Sequence, residues 1–148
     1  MTNELTIINK LKEVISRELN NYLDDGIEPI NEKAVEVDAP DVDHMKYPTS
    51  IYIQPNYSSY ENLTVRSDFA EGRYAVFILC KRDTQTNLTI KTLSYAKALY
   101  ECLKNNPTMD EEADFTMIES SDFFMRVEGN ENIKGVEVSV VIQYAQCY

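Results

Sequence analysis

Tyr74-Ala75-Val76-Phe77-Ile78-Leu79-Cys80 is the longest continuous apolar run in the chain. It falls far short of the roughly 18 residues that a membrane-spanning helix needs, and it is rich in β-branched and aromatic side chains. The run therefore predicts a central β-strand packed on both faces, closed at a polar end by Lys81-Arg82-Asp83. A second strand is written into the last segment, where Val136, Val138, Val140, Ile142 and Tyr144 alternate with Glu137, Ser139, Val141 and Gln143. That period of two belongs to a half-buried strand.

Leu5, Ile8, Leu11, Ile15, Leu19 and Tyr22 recur at three- and four-residue spacing with charged residues between them. This predicts an amphipathic helix from Asn3 to Leu23, capped by Thr2 and ended at Asp24-Asp25-Gly26. A second helix is expected from Thr84–Asn87 to Lys104, with Ile90, Leu93, Ala96, Leu99, Tyr100 and Leu103 as its apolar stripe and Pro107 beyond its end. Ser50 to Gln54, between Pro48 and Pro55, reads as a strand, and Ala34 to Asp38 as a short edge strand within an acidic connection. Asn56 to Gly72 has no clean period and reads either as an extended loop or as a long bent strand pair. Phe115 to Glu119 and Phe123 to Val127 are strand material, and Gly129 to Gly135 makes a glycine-bounded turn into the last strand. The predicted fold class is α+β, a mainly antiparallel sheet flanked by two helices in the order α-β-β-α-β-β, as one domain over residues 1–148.

Charge narrows the function classes. The 148 residues include 25 acidic and 14 basic ones, a net charge of −11. Such a balance argues against a free or sequence-specific nucleic-acid binder, and copies of the chain should repel unless specific apolar or charge-paired contacts hold them. No apolar block suggests export or membrane insertion. Cys80, Cys102 and Cys147 are widely spaced and read as reduced packing thiols in a cytoplasm.

No catalytic, cofactor or metal set emerges. His44, the only histidine, lies in Asp41-Val42-Asp43-His44, where a carboxylate-oriented base is conceivable but a solvated acidic loop is the better reading. Asp38, Asp41 and Asp43 do not make an EF-hand, because the fifth and sixth positions from Asp41 are Met45 and Lys46. Asp110, Glu111, Glu112 and Asp114 read as an exposed turn. Glycine motifs for phosphates and the G-x-S-x-G elbow are absent. The candidate interface residues are Tyr47, Tyr52, Tyr57 and Tyr60, whose rings combine apolar area with a polar tip, and the cations Arg73, Lys81 and Arg82 on the central strand. Lining of a sheet face accounts for the tyrosines equally well, and solvated strand ends account better for the cations.

The layout of an amphipathic first helix, the proline-flanked Tyr47-Pro48-Thr49-Ser50-Ile51-Tyr52-Ile53, the strong strand from Arg73 to Lys81, a helix from Asn87 to Lys104 and a closing strand from Val136 to Tyr144 resembles the tail-terminator, or tail-completion, proteins of long-tailed bacteriophages. The resemblance spans nearly the whole chain and rests on element order and size. It implies a structural protein made in the bacterial cytoplasm and carried in the virion, with tail-tube and head-connector proteins as partners. It also implies a ring, typically hexameric, that caps the tail tube, with an acidic lumen past which DNA slides. In that setting Asn56 to Gly72 is the candidate contact with a neighbouring subunit or the tube. The alternative is a small-molecule or peptide-binding α+β module without catalysis.

Overall fold

The computed structural model describes residues 2–83, 87–124 and 132–147. Its elements are α1 (Glu4–Glu18), β1 (Val35–Glu36), β2 (Thr49–Thr64), β3 (Ser67–Lys81), α2 (Leu88–Lys104), β4 (Phe115–Phe124) and β5 (Ile133–Cys147). The strands form one five-stranded sheet in the order β1-β2-β3-β5-β4. Every neighbouring pair is antiparallel except β1 with β2. The α+β class is thus as the sequence predicts, with the apolar run on the middle strand.

Burial on the two faces of β3 has two different causes. Tyr74, Val76, Ile78 and Cys80 join one core with the apolar sides of both helices and with Val136, Val138, Val140 and Ile142 of β5. Phe77 and Leu79 point the other way and meet Met45, Tyr52, Ile133 and Val42. Both helices therefore cover the same face of the sheet. Among the described residues, the opposite face is covered at one end, by the segment that leads into β2.

Helix boundaries follow the capping groups. Asn3 caps α1, its side chain accepting from the Thr6 amide at 3.0 Å, whereas the expected cap, Thr2, instead donates to Glu112 at 3.2 Å. The regular helix stops at Glu18 and tightens into a 3-10 turn over Leu19–Tyr22, shorter than the continuous helix to Leu23 that periodicity suggested. Gly26, at φ +85, then turns the chain in a conformation that favours glycine. Leu5 is exposed, and the buried stripe is Ile7, Ile8, Leu11, Val14 and Ile15.

α2 starts at Leu88, with the Asn87 side chain accepting from the amides of Thr89 and Ile90. Its buried stripe differs from the expected one: Leu88, Lys91, Thr92, Tyr95, Leu99 and Cys102 face the core beside Ala96 and Leu103, while Ile90, Leu93 and Tyr100 stay exposed. Two polar residues bury because each finds a partner. Thr92 donates to the Leu88 carbonyl at 2.8 Å, and the Lys91 ammonium reaches the Lys81 carbonyl at 3.4 Å and Asp83 at 3.2 Å.

The ambiguous stretch from Asn56 to Gly72 is a strand pair, with β2 and β3 paired as far as Thr64 and Ser67 and a register shift between Asn62 and Thr64 that leaves Leu63 unpaired. A bulge between Pro55 and Tyr57 inserts Asn56 as the unpaired residue. β1 pairs only with Ile51 and Tyr52, so no strand among the described residues pairs with the outer edge of β2 beyond them. β4 is one strand from Phe115 to Phe124, bulged at Glu119, and it forms the other edge of the sheet. The predicted strand residues 125–127 and residues 129–131 of the glycine-bounded turn lie outside the described residues, and the last three residues of that turn, Ile133 to Gly135, belong to β5.

Candidate protein interface

Three features meet on the two edges of the sheet. First, from Tyr47 to Tyr60 the sequence runs for 14 residues without a charge, in a chain that is 26% charged. Second, the distal half of β2 is solvated, with Tyr57 at 61% and Tyr60 at 49% exposure and Leu63 and Val65 open at the hairpin end. Third, a groove of about 400 Å3 lies at the far edge, between the end of α2 and the start of β4. Its walls are Tyr100, Lys104, Pro107 and Phe115 to Ile118, an uncharged strand segment against a helix end.

Strand register places the tyrosines. Ile51 and Ile53 lie in the core on the helix-covered side, and without a bulge Tyr57 would share that side. The extra residue at Asn56 resets the alternation, so Tyr57 pairs with Arg73 on the helix-free face and Tyr60 pairs with Ala70 on the helix side. The four candidate tyrosines consequently separate. Tyr52 is buried in the small cluster and donates to the Asp41 carbonyl at 3.4 Å, and Tyr47 packs half-buried against the main core. Of the four, Tyr57 and Tyr60 alone are exposed.

The three candidate cations also separate. Arg73 pairs with Glu119 across the helix-free face and lies 4.0 Å from Glu71. Lys81 is eight residues further along β3, roughly 27 Å at strand rise, and donates to the Met45 carbonyl at 2.8 Å. Arg82 is at the exposed strand end. They form no continuous basic face.

The loop around His44 has a defined geometry. The His44 Nδ1 lies 2.9 and 3.1 Å from the two Asp41 carboxylate oxygens, with the imidazole 80% exposed. Hydrogen bonding to Asp41 raises the His44 pKa above its ordinary value, which favours an imidazolium ion pair over a free base. Among the described residues no cluster of three or more His, Cys, Asp or Glu is placed to hold a metal. The acidic turn at Asp110 is tied down more firmly than an exposed turn requires. Arg17 of α1 grips the Asp110 carboxylate at 2.8 and 3.0 Å, with Lys10 at 3.6 Å, and holds its pKa below the usual range. Met109, Asp110 and Glu111 all have positive φ, and Met109 is fully buried beneath them. Burial raises the Cys80 thiol to about 11 and the Cys102 thiol to about 12, as suits packing residues.

Sequence reasoning missed the groove, because its walls come from two segments that meet only in the folded chain. No family model matches the sequence, and no curated protein matches it. Among solved structures, the sheath/tube terminator of an extracellular contractile injection system, PVC, in its extended state, aligns over 95% of this chain with a TM-score of 0.50 and 16% identity. The chain is similar in fold to a sheath/tube terminator. It covers 57% of that terminator's length. A chain of a native gene transfer agent virion aligns over 78% of this chain and 81% of its own, at 9% identity and a TM-score of 0.49. The fold implied by the resemblance to tail terminators is the fold found. Among the described residues no helix is long and apolar enough to cross a membrane.

Proposed function

We propose that this chain is a structural terminator of a phage-type tail, which assembles into a ring, caps the tail tube and meets the head connector, and which performs no catalysis. The observation that carries the reading is the fold similarity to a sheath/tube terminator over 95% of this chain. Fold alone does not fix function, and two features of the edges add support. The solvated half of the uncharged run, Asn56 to Tyr60, gives an acidic chain a place where copies meet with little repulsion. The carboxylates gathered between Asp24 and Asp43 are available to keep a channel free of adhering DNA.

Light scattering over a concentration range, with and without purified tail-tube protein, tests the reading. Concentration-dependent assembly and shortened tubes are expected; a persistent monomer with no effect on tube length refutes it. The groove of about 400 Å3 falls in the size range of ligand sites, about 300–1,000 Å3. It favours, as a second reading, a peptide-binding module that stays monomeric, and the same measurement separates the two.

A further inference from the structure

The ring reading leaves open which surfaces join. The sheet has two edges without a strand partner among the described residues, the distal part of β2 and the outer side of β4. Their directions are opposed: β3 and β5 intervene with one reversal at each step, so β2 and β4 run antiparallel to one another. Copies set side by side about an axis along the strands would therefore present β2 of one antiparallel to β4 of the next. Such a head-to-tail contact closes into a ring when the rotation permits.

The rows of the sheet also bring the right side chains level. Tyr57 pairs with Arg73, Arg73 with Val141 and Val141 with Met117. Ser59 leads in the same way through Glu71 and Gln143 to Phe115. Tyr57 and the groove thus occupy the same rows at opposite edges, while Tyr60, which leads through Ala70 to Tyr144, lies one row beyond Phe115; an unshifted neighbour brings Tyr57 level with Met117 and Tyr60 alongside the end of the groove. Tyr60 is on the helix side, where Tyr100, Lys104 and Pro107 wall the groove, and Tyr57 is on the helix-free side, in the row of Met117.

Charge selects a second copy as the occupant. Neither Asn56–Tyr60 nor Phe115–Ile118 carries a charge, and of the two carboxylates that flank the β4 segment, Asp114 and Glu119, the second is already paired with Arg73, so this is the stretch of edge where a chain at −11 approaches itself with least repulsion. The first charge beyond it on β2 is Glu61, and Lys104 stands at the groove with its ammonium 5.6 Å from the centre of the Tyr100 ring. Resting on the ring reading, we propose that the β2 edge from Asn56 to Glu61 of one copy adds antiparallel to the β4 edge of the next, with Tyr60 seated in the groove of Tyr100, Pro107 and Phe115 to Ile118.

The test uses the full chain under conditions where the wild type assembles. Tyr60→Glu places a carboxylate in an apolar groove and should raise the concentration for half-assembly by about tenfold or more, while Tyr60→Phe assembles as the wild type does. Circular dichroism checks that both variants fold. A Tyr57→Cys/Met117→Cys double variant should give a ladder of covalent multimers on mild oxidation that neither single variant gives, a readout independent of stability. Normal assembly of folded Tyr60→Glu, together with no ladder from the double variant, overturns the edge pairing and leaves the ring reading standing. A wild type that never assembles, even with tail-tube protein, overturns both.

Discussion

Gly72 offers a quantitative test of how tightly the middle of the sheet is built. It lies on β3 at the level of Ser58, Ile142 and Thr116, in a row that runs from one edge of the sheet to the other. A Cβ added there would come within 2.8 Å of both Cε2 and the hydroxyl of Tyr74 and 3.0 Å of Cζ. Tyr74 cannot swing away cheaply, because it is 2% exposed and packed in the main core. Overpacking of this kind costs about 1–3 kcal/mol. Alanine also restricts the unfolded chain, which returns about 0.4–1 kcal/mol, so Gly72→Ala should destabilise by about 1–2 kcal/mol. At this chain length that is a fall in Tm of about 2–8 °C, read by circular dichroism at a concentration below assembly. In a Tyr74→Leu background the ring atoms and the hydroxyl are gone, only the restriction of the unfolded chain remains, and Gly72→Ala should become neutral or stabilise by up to about 1 kcal/mol. An unchanged melting curve for Gly72→Ala, or an equal cost in both backgrounds, would refute the argument that the Tyr74 ring fills the space a side chain would need.

Two further predictions concern titratable groups. Cys80 and Cys102, both buried and with thiol pKa values raised to about 11 and 12, should resist alkylation at neutral pH in the native protein and react fully once it is unfolded, as peptide mapping would report. Arg17 lowers the pKa of Asp110 below 3.8, so the pair contributes stability above the unfolded-state value and loses it as pH falls through the folded one. Asp110→Asn should accordingly reduce the steepness of acid unfolding below about pH 4 while leaving the alkaline side unchanged, measured by urea melts across pH.

What the sequence revealed depended on how local the cause was. The middle strand and the last strand were legible because burial on two faces and burial on one face leave distinct patterns within a single segment. The stripe of α2 was misread because Lys91 and Thr92 look like surface residues until Asp83 and the carbonyls of Lys81 and Leu88 are beside them. The stretch after Asn56 stayed ambiguous because one inserted residue interrupts the alternation by which a strand is recognised. Tyr57 and Tyr60 were identifiable as candidates, but Tyr47 and Tyr52 belong to the body of the fold, and only register separates them. Thr2 and Asn3 both satisfy the chemistry of a helix cap, and the choice between them was made by Glu112, more than a hundred residues away.

The bulge at Asn56 acts as a parity switch. On its body side, odd-numbered positions of β2 take the helix side, where Ile51 and Ile53 enter the core; on its far side, as far as Asn62, odd-numbered positions lie on the open face and even-numbered ones take the helix side. The two halves of one strand are therefore under separate rules, and which residues β2 offers at its exposed end is decided without reference to the core. Removing that single residue would leave Ile51 and Ile53 where they are and exchange the sides of every residue from Tyr57 to Asn62. The outer surface of the molecule could thus be rewritten in one step while its interior stayed the same.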